Sequence, residues 1–533
     1  MRDGAMQPYA LTLDKFLEYA AKWHPRTEVV TAREGGGVAR VEYAELDRRA
    51  RNASLVLASF GVRARDRVAT LAWNTQAHLE VWYAIMGMGA VCHTLNPRLT
   101  SAQLTTMVTQ SEARVLIVTA DQLPLARQIA AGAPSIERLV VIDVSDVVAT
   151  GSPGGPIVCA LEPMLAQARG EMTWGEFDEN TPCGLCFTSG TTGAPKGVTY
   201  THRASYLHTL RTLQADFMAI SARDTVLTVV PMFHANAWGV PFSTAAAGAK
   251  LVLPGRHLDG FSLASLINTE GVTVGVGIAT VWLDLVEHID QVGGELPTLE
   301  RLVVGGAPLP PALMERIESR LEVVVQTSWG MTELSPSGTV APIYSTTRSA
   351  HLSGRPGIGV DLLLTDTDGR ALPQQRGMEG HLRVRGPAVI ERYFGDQHNA
   401  TDSDGWLPTG DLARIDAAGN LIITGRSKDL IKSGGEWINP AEIEAVINTL
   451  PEVSLAAVIG RPHLKWGERP VLLVQTRDSA SITDEALLAP LRGKVAPWWI
   501  PDEVIRVPRM HLSPTGKIDK VRLRVEYGGG ELM

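Results

Sequence analysis

The sequence predicts an α/β fold, because short apolar segments alternate with amphipathic segments along most of its 533 residues. Segments 67–73 and 113–118 have the composition of buried strands. Segments 46–60 and 101–110 have the apolar spacing of helices. Further apolar segments that end in a glycine, a proline or a polar turn are 226–231, 250–253, 272–278, 301–304 and 322–326. Ligands bind beyond the carboxyl ends of strands in such sheets, so these turns are candidate site positions.

Composition narrows the class of protein. A chain of this length with 45% hydrophobic residues can bury large cores, and a net charge of -8 with dispersed basic residues argues against a nucleic-acid partner. The first residues lack an apolar signal core and no run of about 18 apolar residues occurs, so we expect a cytoplasmic protein without a membrane span. Cys183 and Cys186 form a lone CxxC, which we interpret as structural.

A loop rich in hydroxyls and glycines, residues 188–197, follows an apolar strand. Glycines let the backbone approach a ligand closely, hydroxyls donate hydrogen bonds, and Lys196 supplies a cation for phosphate oxygens. It is not a Walker A motif, because Lys196 stands between Pro195 and Gly197. The sequence therefore predicts a different phosphate-binding loop. Its proposed ligands are Thr188, Ser189, Gly190, Thr191, Thr192 and Lys196.

Two further strands run into turns of small and polar residues. The first turn is Gly305-Gly306-Ala307, where glycines allow a flat base to lie against the backbone. The second is Trp329-Gly330-Met331-Thr332-Glu333. Trp329 offers an aromatic face for stacking, Thr332 a hydroxyl for phosphate, and Glu333 a hard oxygen ligand for Mg²⁺. Together these turns predict a nucleotide site.

The last third of the chain contains a predicted ribose ligand and a domain boundary. Asp411 follows a glycine turn and could accept hydrogen bonds from two vicinal ribose hydroxyls.

Residues 423–436 alternate in charge and end in a Ser-Gly-Gly turn, which suits a boundary between rigid bodies. Asn439, Pro440 and Glu442 then predict the start of a helix. Near the carboxyl end, Lys517 lies in a P-x-G-K turn that a mobile domain could bring into a distant site.

These segments, in this order, resemble the motifs of the acyl-adenylate-forming enzymes, which include acyl-CoA synthetases, adenylation domains of peptide synthetases and beetle luciferases. The T-S-G-T-T-G-x-P-K-G hallmark matches residues 188–197, and the likeness covers nearly the whole chain. The family usually has tyrosine where Trp329 stands. The resemblance implies a large domain of stacked β-sheets with flanking helices and a β-subdomain, residues 1–428. It also implies a small mobile α+β domain, residues 429–533.

The resemblance further implies that ATP, Mg²⁺, CoA and a carboxylic acid are the reactants and cofactors. Lys517 would be the catalytic lysine, aided by Thr188 and His234, and Arg426 would reach nucleotide oxygens. The implied Mg²⁺ ligands are Glu333 and Thr188. The implied hinge is Lys428 and Asp429. The implied CoA-binding turn is Ser433, Gly434, Gly435 and Glu436. Family members often form dimers, so we also expect a homodimer.

The chemistry expected of such a site is charge neutralisation. A carboxylate is ionised at pH 7, and its attack on the α-phosphorus of ATP brings two anions together. Mg²⁺, Lys196 and Lys517 would lower that cost, as cations do in other phosphoryl-type displacements. The small domain would then rotate about Lys428 and Asp429 so that CoA attacks the acyl-adenylate.

The acid is suggested by the segment 230–240, which contains His234 and Trp238. Its M-F-H-x-N-A-W pattern resembles bacterial fatty acyl-CoA synthetases, whose equivalent tryptophan gates the acyl tunnel, and methylmercaptopropionate-CoA ligases, which use a short thioether acid. Gly305 and Gly330 would complete the acid site. Three alternatives stay open: an adenylating protein that loads a carrier protein, a luciferase-like oxygenase, and a catalytically silent binding protein. The segment 466–469 is family-like without an assigned role.

Overall fold

A computed structural model describes residues 6–145, 155–188, 195–345, 348–434, 436–477, 482–513 and 516–529. The predicted ligands Ser189, Gly190, Thr191, Thr192 and Gly435 lie outside these described residues. No helix in the described ranges is both long and apolar enough to cross a membrane.

The strands are β1 (Glu28–Ala32), β2 (Val38–Glu42), β3 (Arg67–Leu71), β4 (Val91–Thr94), β5 (Val115–Val118), β6 (Arg138–Val141), β7 (Ile157–Ala160), β8 (Pro182–Thr188), β9 (Lys196–Thr201), β10 (Thr225–Thr228), β11 (Lys250–Leu253), β12 (Val274–Gly277), β13 (Arg301–Val304), β14 (Val324–Gly330), β15 (Ser337–Val340), β16 (Arg355–Pro356), β17 (Asp361–Thr365), β18 (Glu379–Arg385), β19 (Leu407–Ile415), β20 (Leu421–Arg426), β21 (Ile431–Ser433), β22 (Glu436–Ile438), β23 (Val453–His463), β24 (Gly467–Thr476) and β25 (Glu503–Arg506).

The α-helices are α1 (Asp14–Trp23), α2 (Tyr43–Ser59), α3 (Gln76–Gly87), α4 (Ser101–Ser111), α5 (Leu123–Gly132), α6 (Leu161–Gln167), α7 (His202–Thr212), α8 (Val240–Ala247), α9 (Gly260–Glu270), α10 (Ala279–Val292), α11 (Pro311–Leu321), α12 (Pro440–Ile447), α13 (Asp484–Leu488) and α14 (Lys520–Tyr527).

Two large sheets form the first part of the chain. One has seven strands in the order β7-β6-β5-β3-β4-β8-β9, and only β9 runs antiparallel to its neighbour. The other has nine strands in the order β16-β15-β14-β13-β12-β10-β11-β1-β2, and its central strands from β14 to β1 are parallel. The carboxyl ends of β12, β13 and β14 therefore meet at one edge, as parallel topology requires. This confirms the predicted α/β layering.

Two smaller sheets follow. Strands β17 to β20 form an antiparallel four-stranded sheet, which is the β-subdomain. The last sheet has the order β22-β21-β24-β23, with β25 parallel to β24, and carries helices α12, α13 and α14. The position of the domain boundary at residues 428 and 429 stays a prediction.

Helices α3 and α8 lie deep in the interior. Every residue of α3 from His78 to Gly87 is buried, which is the pattern of a helix enclosed on all sides. Trp82 of α3 stacks on Phe242 of α8 with ring centroids 5.8 Å apart. Buried aromatic pairs of this kind contribute about 0.5–1.5 kcal/mol beyond their area.

Predicted element ends differ from the structure by a few residues. The clearest case is segment 322–326, because Glu322 ends α11 in the left-handed region (φ 55°) and β14 begins only at Val324. That strand then continues to Gly330, past the predicted end. Sequence patterns mark the existence of an element better than its ends, since caps and tertiary contacts set the ends.

Candidate active site

The site lies where β13 and β14 end. Gly305 follows β13 and packs so closely on β14 that a Cβ atom there would lie 2.2 Å from the Ser328 hydroxyl. Cβ positions at Gly305 and Gly306 would lie 3.2 and 3.4 Å from the indole of Trp238. Trp238 therefore covers the Gly305-Gly306 turn, and Ala307 continues the same turn. Only glycine leaves room for this approach.

Trp238 is held by a left-handed turn. Four consecutive non-glycine residues have positive φ: 45° at Ala235, 54° at Asn236, 49° at Ala237 and 55° at Trp238. Each costs about 1–2 kcal/mol relative to the right-handed form. Strained backbone of this kind concentrates at ligand sites.

The imidazole of His234 is neutral in this site. Burial, with a smaller contribution from the charge of Lys517, lowers the pKa of His234 to about 4. A neutral ring can donate or accept a hydrogen bond but cannot form an ion pair with a carboxylate at pH 7. His234 is therefore suited to orient an acid by hydrogen bonding.

Asp411 joins two of the predicted motifs. Strands β19 and β20 pair Asp411 with Arg426, and the Arg426 Nε lies 2.7 Å from Oδ1. The Trp329 Nε1–H donates to Oδ2 at 2.9 Å. Burial raises the pKa of Asp411, and Arg426 opposes that shift. Sequence analysis assigned Trp329 to base stacking, and the structure adds a hydrogen bond to the predicted ribose ligand.

Replacing Trp329 with Phe tests the importance of that bond. W329F keeps an aromatic face but removes the donor to a buried carboxylate, a bond of about 1.5 kcal/mol. In the adenylation that the resemblance implies, we expect the KM for ATP to rise roughly 3- to 10-fold with little change in kcat. An unchanged KM would show that the bond does not orient Asp411 for ATP.

Lys517 reaches the same edge of the sheet from the far end of the sequence. Gly516 has φ +78°, and a Cβ atom there would lie 2.4 Å from Ile278, directly after β12. Burial and the nearby Arg426 lower the pKa of Lys517 to about 8, while Asp411 and Glu333 act in the opposite direction. The structure thus brings Lys517 together with Asp411, Arg426 and Glu333.

The rate of the adenylation that the resemblance implies should therefore fall in alkaline solution. Lys517 is a cation below its pKa of about 8 and loses its charge as the pH rises through that value. We expect kcat/KM for ATP to decline above about pH 8, since this parameter reports the free enzyme. Pyrophosphate release measured across pH tests this. Lys517→Arg, if active, should lack the decline, because arginine stays protonated, and the same decline in both proteins would contradict the assignment.

Glu333 and Lys196 are linked through a residue that sequence analysis missed. The Tyr393 hydroxyl donates to Glu333 Oε1 at 2.8 Å, and Lys196 Nζ lies 4.8 Å from the centroid of the Tyr393 ring. The Tyr200 hydroxyl donates to the Thr332 carbonyl at 2.9 Å, which fixes the turn before Glu333. No motif or spacing in the sequence distinguishes these tyrosines, so no local signal could have identified them.

The donors around Glu333 fit Mg²⁺. Tyr393 occupies Oε1, and no described residue forms a hydrogen bond with Oε2. In the described ranges no three His, Cys, Asp or Glu side chains form a metal cluster. Mg²⁺ commonly takes one or two carboxylates plus substrate phosphates, so a single glutamate is an adequate protein ligand. Thr188, the other predicted ligand, donates its hydroxyl to the Lys196 carbonyl at 3.4 Å.

The turn after β14 is tightly constrained. Met331 donates its N–H to the Pro336 carbonyl at 3.1 Å. A Cβ atom on Gly330 would lie 2.3 Å from that same carbonyl oxygen. Glycine is therefore required at position 330 by packing, whether or not it also borders the acid.

The predicted CoA-binding turn lies in the last sheet. Arg469 donates to the Ser433 hydroxyl at 3.3 Å, and the Gly434 N–H donates to the Trp466 carbonyl at 2.7 Å. Glu436 is exposed at the start of β22. The segment 466–469, which had no assigned role, thus supports this turn.

The predicted hinge residues form a short 3₁₀ turn, Ser427–Asp429. Asp429 pairs with Arg524 of α14 at 2.8 Å. Because α14 begins three residues after Lys517, this pair connects the hinge to the helix that follows the lysine loop. The hinge role itself stays a prediction.

The chain belongs to the family of AMP-binding enzymes. The family model, AMP-binding enzyme, matches residues 17–394, and the model of the AMP-binding enzyme C-terminal domain matches residues 442–517. Together the two models cover most of the chain, which confirms the resemblance seen in the sequence.

Among its relatives, the chain is 39% identical to a 3-methylmercaptopropionyl-CoA ligase from Ruegeria lacuscaerulensis, with 98% of each chain covered. It is 41% identical to a medium-chain-fatty-acid–CoA ligase from Ectopseudomonas oleovorans, covering 98% of this chain and 97% of the relative. Among solved structures it is similar to ATP-bound MatB from Rhodopseudomonas palustris, with a TM-score of 0.85 and 25% identity over 97% of this chain and 99% of the other.

Proposed function

We propose that this protein is an AMP-forming acid:CoA ligase. It would convert a carboxylic acid, ATP and CoA to acyl-CoA, AMP and pyrophosphate through an acyl-adenylate. The observation that carries the proposal is that four charged side chains meet beside the carboxyl ends of β12 and β14, namely Lys517, Asp411, Arg426 and Glu333. The relatives of the chain are CoA ligases along their whole length.

In the first half-reaction, the acid's carboxylate oxygen bonds to the α-phosphorus of ATP, and the bond to pyrophosphate breaks. Asp411 would accept hydrogen bonds from the ribose, while Lys517 would neutralise charge between the carboxylate and the α-phosphate. Lys196 would contact the phosphates. When bound at Glu333, Mg²⁺ would supply further charge neutralisation to the phosphate chain. Positioning and electrostatics are enough for this chemistry, because the carboxylate needs no base.

In the second half-reaction, the CoA thiolate attacks the acyl carbon and AMP leaves. We propose that the small domain first rotates about Lys428 and Asp429, withdrawing Lys517 and presenting the turn at Ser433, Gly434, Gly435 and Glu436. Lys517 is half-buried beside Arg426 and Asp411 in this structure, which supports taking this as the adenylation arrangement. One active site can serve both half-reactions in this way.

A medium- or long-chain fatty acid is the preferred acyl group. Trp238 belongs to an apolar cluster with Val276, Val303 and Val340, so the wall next to the proposed acid site is hydrophobic. Such a wall favours an apolar chain over a charged or hydroxylated one. Methylmercaptopropionate is a second candidate, favoured by the 39% identity to a ligase of that acid.

The test is AMP release from Mg²⁺ and ATP with a panel of acids, namely propionate, methylmercaptopropionate, decanoate, palmitate and cinnamate, each with and without CoA. CoA-dependent turnover supports the ligase, and the acid with the highest kcat/KM chooses between the two candidates. Pyrophosphate formation that CoA does not accelerate would instead favour a carrier-loading adenylase. No acid-dependent AMP would reject the proposal.

A further inference from the structure

The segment 387–396, which we term the strap, connects two parts of the site that are far apart in sequence. Its Ile390 N–H donates to the Glu333 carbonyl at 3.0 Å, and its Phe394 N–H donates to the Gly197 carbonyl at 2.7 Å. A Cβ atom on Gly197 would lie 2.9 Å from the Cβ of Phe394, so the strap crosses directly over the start of β9. The strap thus fixes the distance between Glu333 and the strand that carries Lys196.

Within the strap, Tyr393 contacts both charged groups. Its hydroxyl donates to Glu333 Oε1 at 2.8 Å, and its ring lies beneath Lys196 Nζ at 4.8 Å from the centroid. No ion pair between Lys196 and Glu333 occurs among the described residues, although both contact Tyr393, Glu333 at its hydroxyl and Lys196 at its ring. A cation over an aromatic face is held by about 0.5–1 kcal/mol at an exposed site, which is weak enough to release to a phosphate.

We propose that Tyr393 is a positioning residue that prepares Glu333 and Lys196 for Mg²⁺ and ATP. This inference rests on the proposed roles of Glu333 and Lys196 in the ligase. The hydroxyl occupies Oε1 of Glu333 and leaves Oε2, which would hold Mg²⁺ when the metal is bound, as partners of metal ligands commonly do. The ring gives Lys196 a partner other than Glu333, so the two opposite charges do not neutralise each other before the substrate arrives.

The two contacts can be separated by substitution. Tyr393→Phe removes the hydrogen bond to Glu333 but keeps the ring beneath Lys196. Tyr393→Leu removes both. We expect Y393F to raise the Mg²⁺ concentration for half-maximal adenylation roughly 10-fold, the lower end of what lost metal-ligand partners cause. Y393L should also raise the KM for ATP, while kcat at saturating Mg²⁺ stays near that of the wild type in Y393F.

The experiment is pyrophosphate release with ATP and the best acid of the panel, titrated with Mg²⁺, alongside CoA transfer from preformed acyl-adenylate. The proposal predicts that only the first assay depends on Tyr393. A purely structural role would instead lower both rates together and lower the melting temperature. Tyr344→Phe is the matched control, because that exposed tyrosine also donates its hydroxyl to a carboxylate, that of Asp216.

A double-mutant cycle keeps the test independent of any general loss of stability. If Tyr393 acts through Glu333, the effects of Y393F and Glu333→Gln on the Mg²⁺ requirement should be strongly non-additive. Additive effects, or an unchanged Mg²⁺ requirement in Y393F while E333Q raises it, would overturn the inference and leave the ligase intact. Wild-type protein without acid-dependent AMP formation would instead refute the proposed function itself.

Discussion

Lys517→Ala should lower the rate of adenylation by roughly 10²- to 10³-fold, the range seen when one stabilising group is removed from a developing anionic centre. In the proposed mechanism Lys517 supplies the cation for adenylation. Its Cε lies 4.0 Å from the Cβ position of Gly306, and the charges of Asp411 and Glu333 act on it. Transfer of the acyl group from preformed acyl-adenylate to CoA should change little. The two rates are measured separately as pyrophosphate release and acyl-CoA formation.

Lys494→Ala is the control for this prediction, since Lys494 is an exposed lysine of the same region. It should leave both half-reactions near the wild-type rate. If K517A reduced the two half-reactions equally, Lys517 would be a structural residue or would act in both steps, and its assignment to adenylation would be wrong.

Asp411→Asn should reduce kcat/KM for ATP roughly 10- to 100-fold, because hydrogen bonds to a charged group contribute about 1.5–3 kcal/mol. The asparagine is nearly isosteric, but its amide nitrogen must face a donor, either Trp329 at one oxygen position or Arg426 at the other. It also loses the charge that offsets Arg426 beside Lys517. The substitution should therefore weaken the contact with the ribose and also disturb the positions of Trp329 and Arg426.

Steady-state kinetics with varied ATP, together with calorimetric ATP binding, measure this loss. Asp404→Asn is the control, since Asp404 is exposed in the loop before β19. Equal ATP affinity in D411N and the wild type would show that Asp411 does not bind the nucleotide and that its ion pair with Arg426 has only a structural role.

Local chemistry explains what the sequence could predict. The helix start at Asn439 is confirmed, because the Asn439 side chain accepts a hydrogen bond from Ala441 N–H at 3.2 Å and α12 begins with Pro440. Such caps depend on neighbouring residues alone. Cys183 and Cys186 are confirmed as buried free thiols, in keeping with the structural interpretation of the CxxC.

Other features depend on segments that meet only in the folded chain. The Trp329 to Asp411 hydrogen bond joins residues 82 positions apart, and the bond from Tyr393 to Glu333 joins residues 60 positions apart. The left-handed turn that ends at Trp238 is equally absent from any local pattern, since alanine disfavours positive φ. Tertiary packing imposes these arrangements, and a single sequence contains no signal for them.

The central claim is that the reaction passes through an acyl-adenylate, and the most direct test follows an oxygen atom of the acid's carboxylate into the products. With the preferred acid labelled with ¹⁸O in its carboxylate, the account predicts one labelled oxygen in the phosphate of the AMP released, because the acid attacks the α-phosphorus and its oxygen leaves with AMP when CoA takes the acyl group. Mass spectrometry of the AMP measures this. Label found in inorganic phosphate or pyrophosphate, or AMP formed without label, would contradict an acyl-adenylate intermediate.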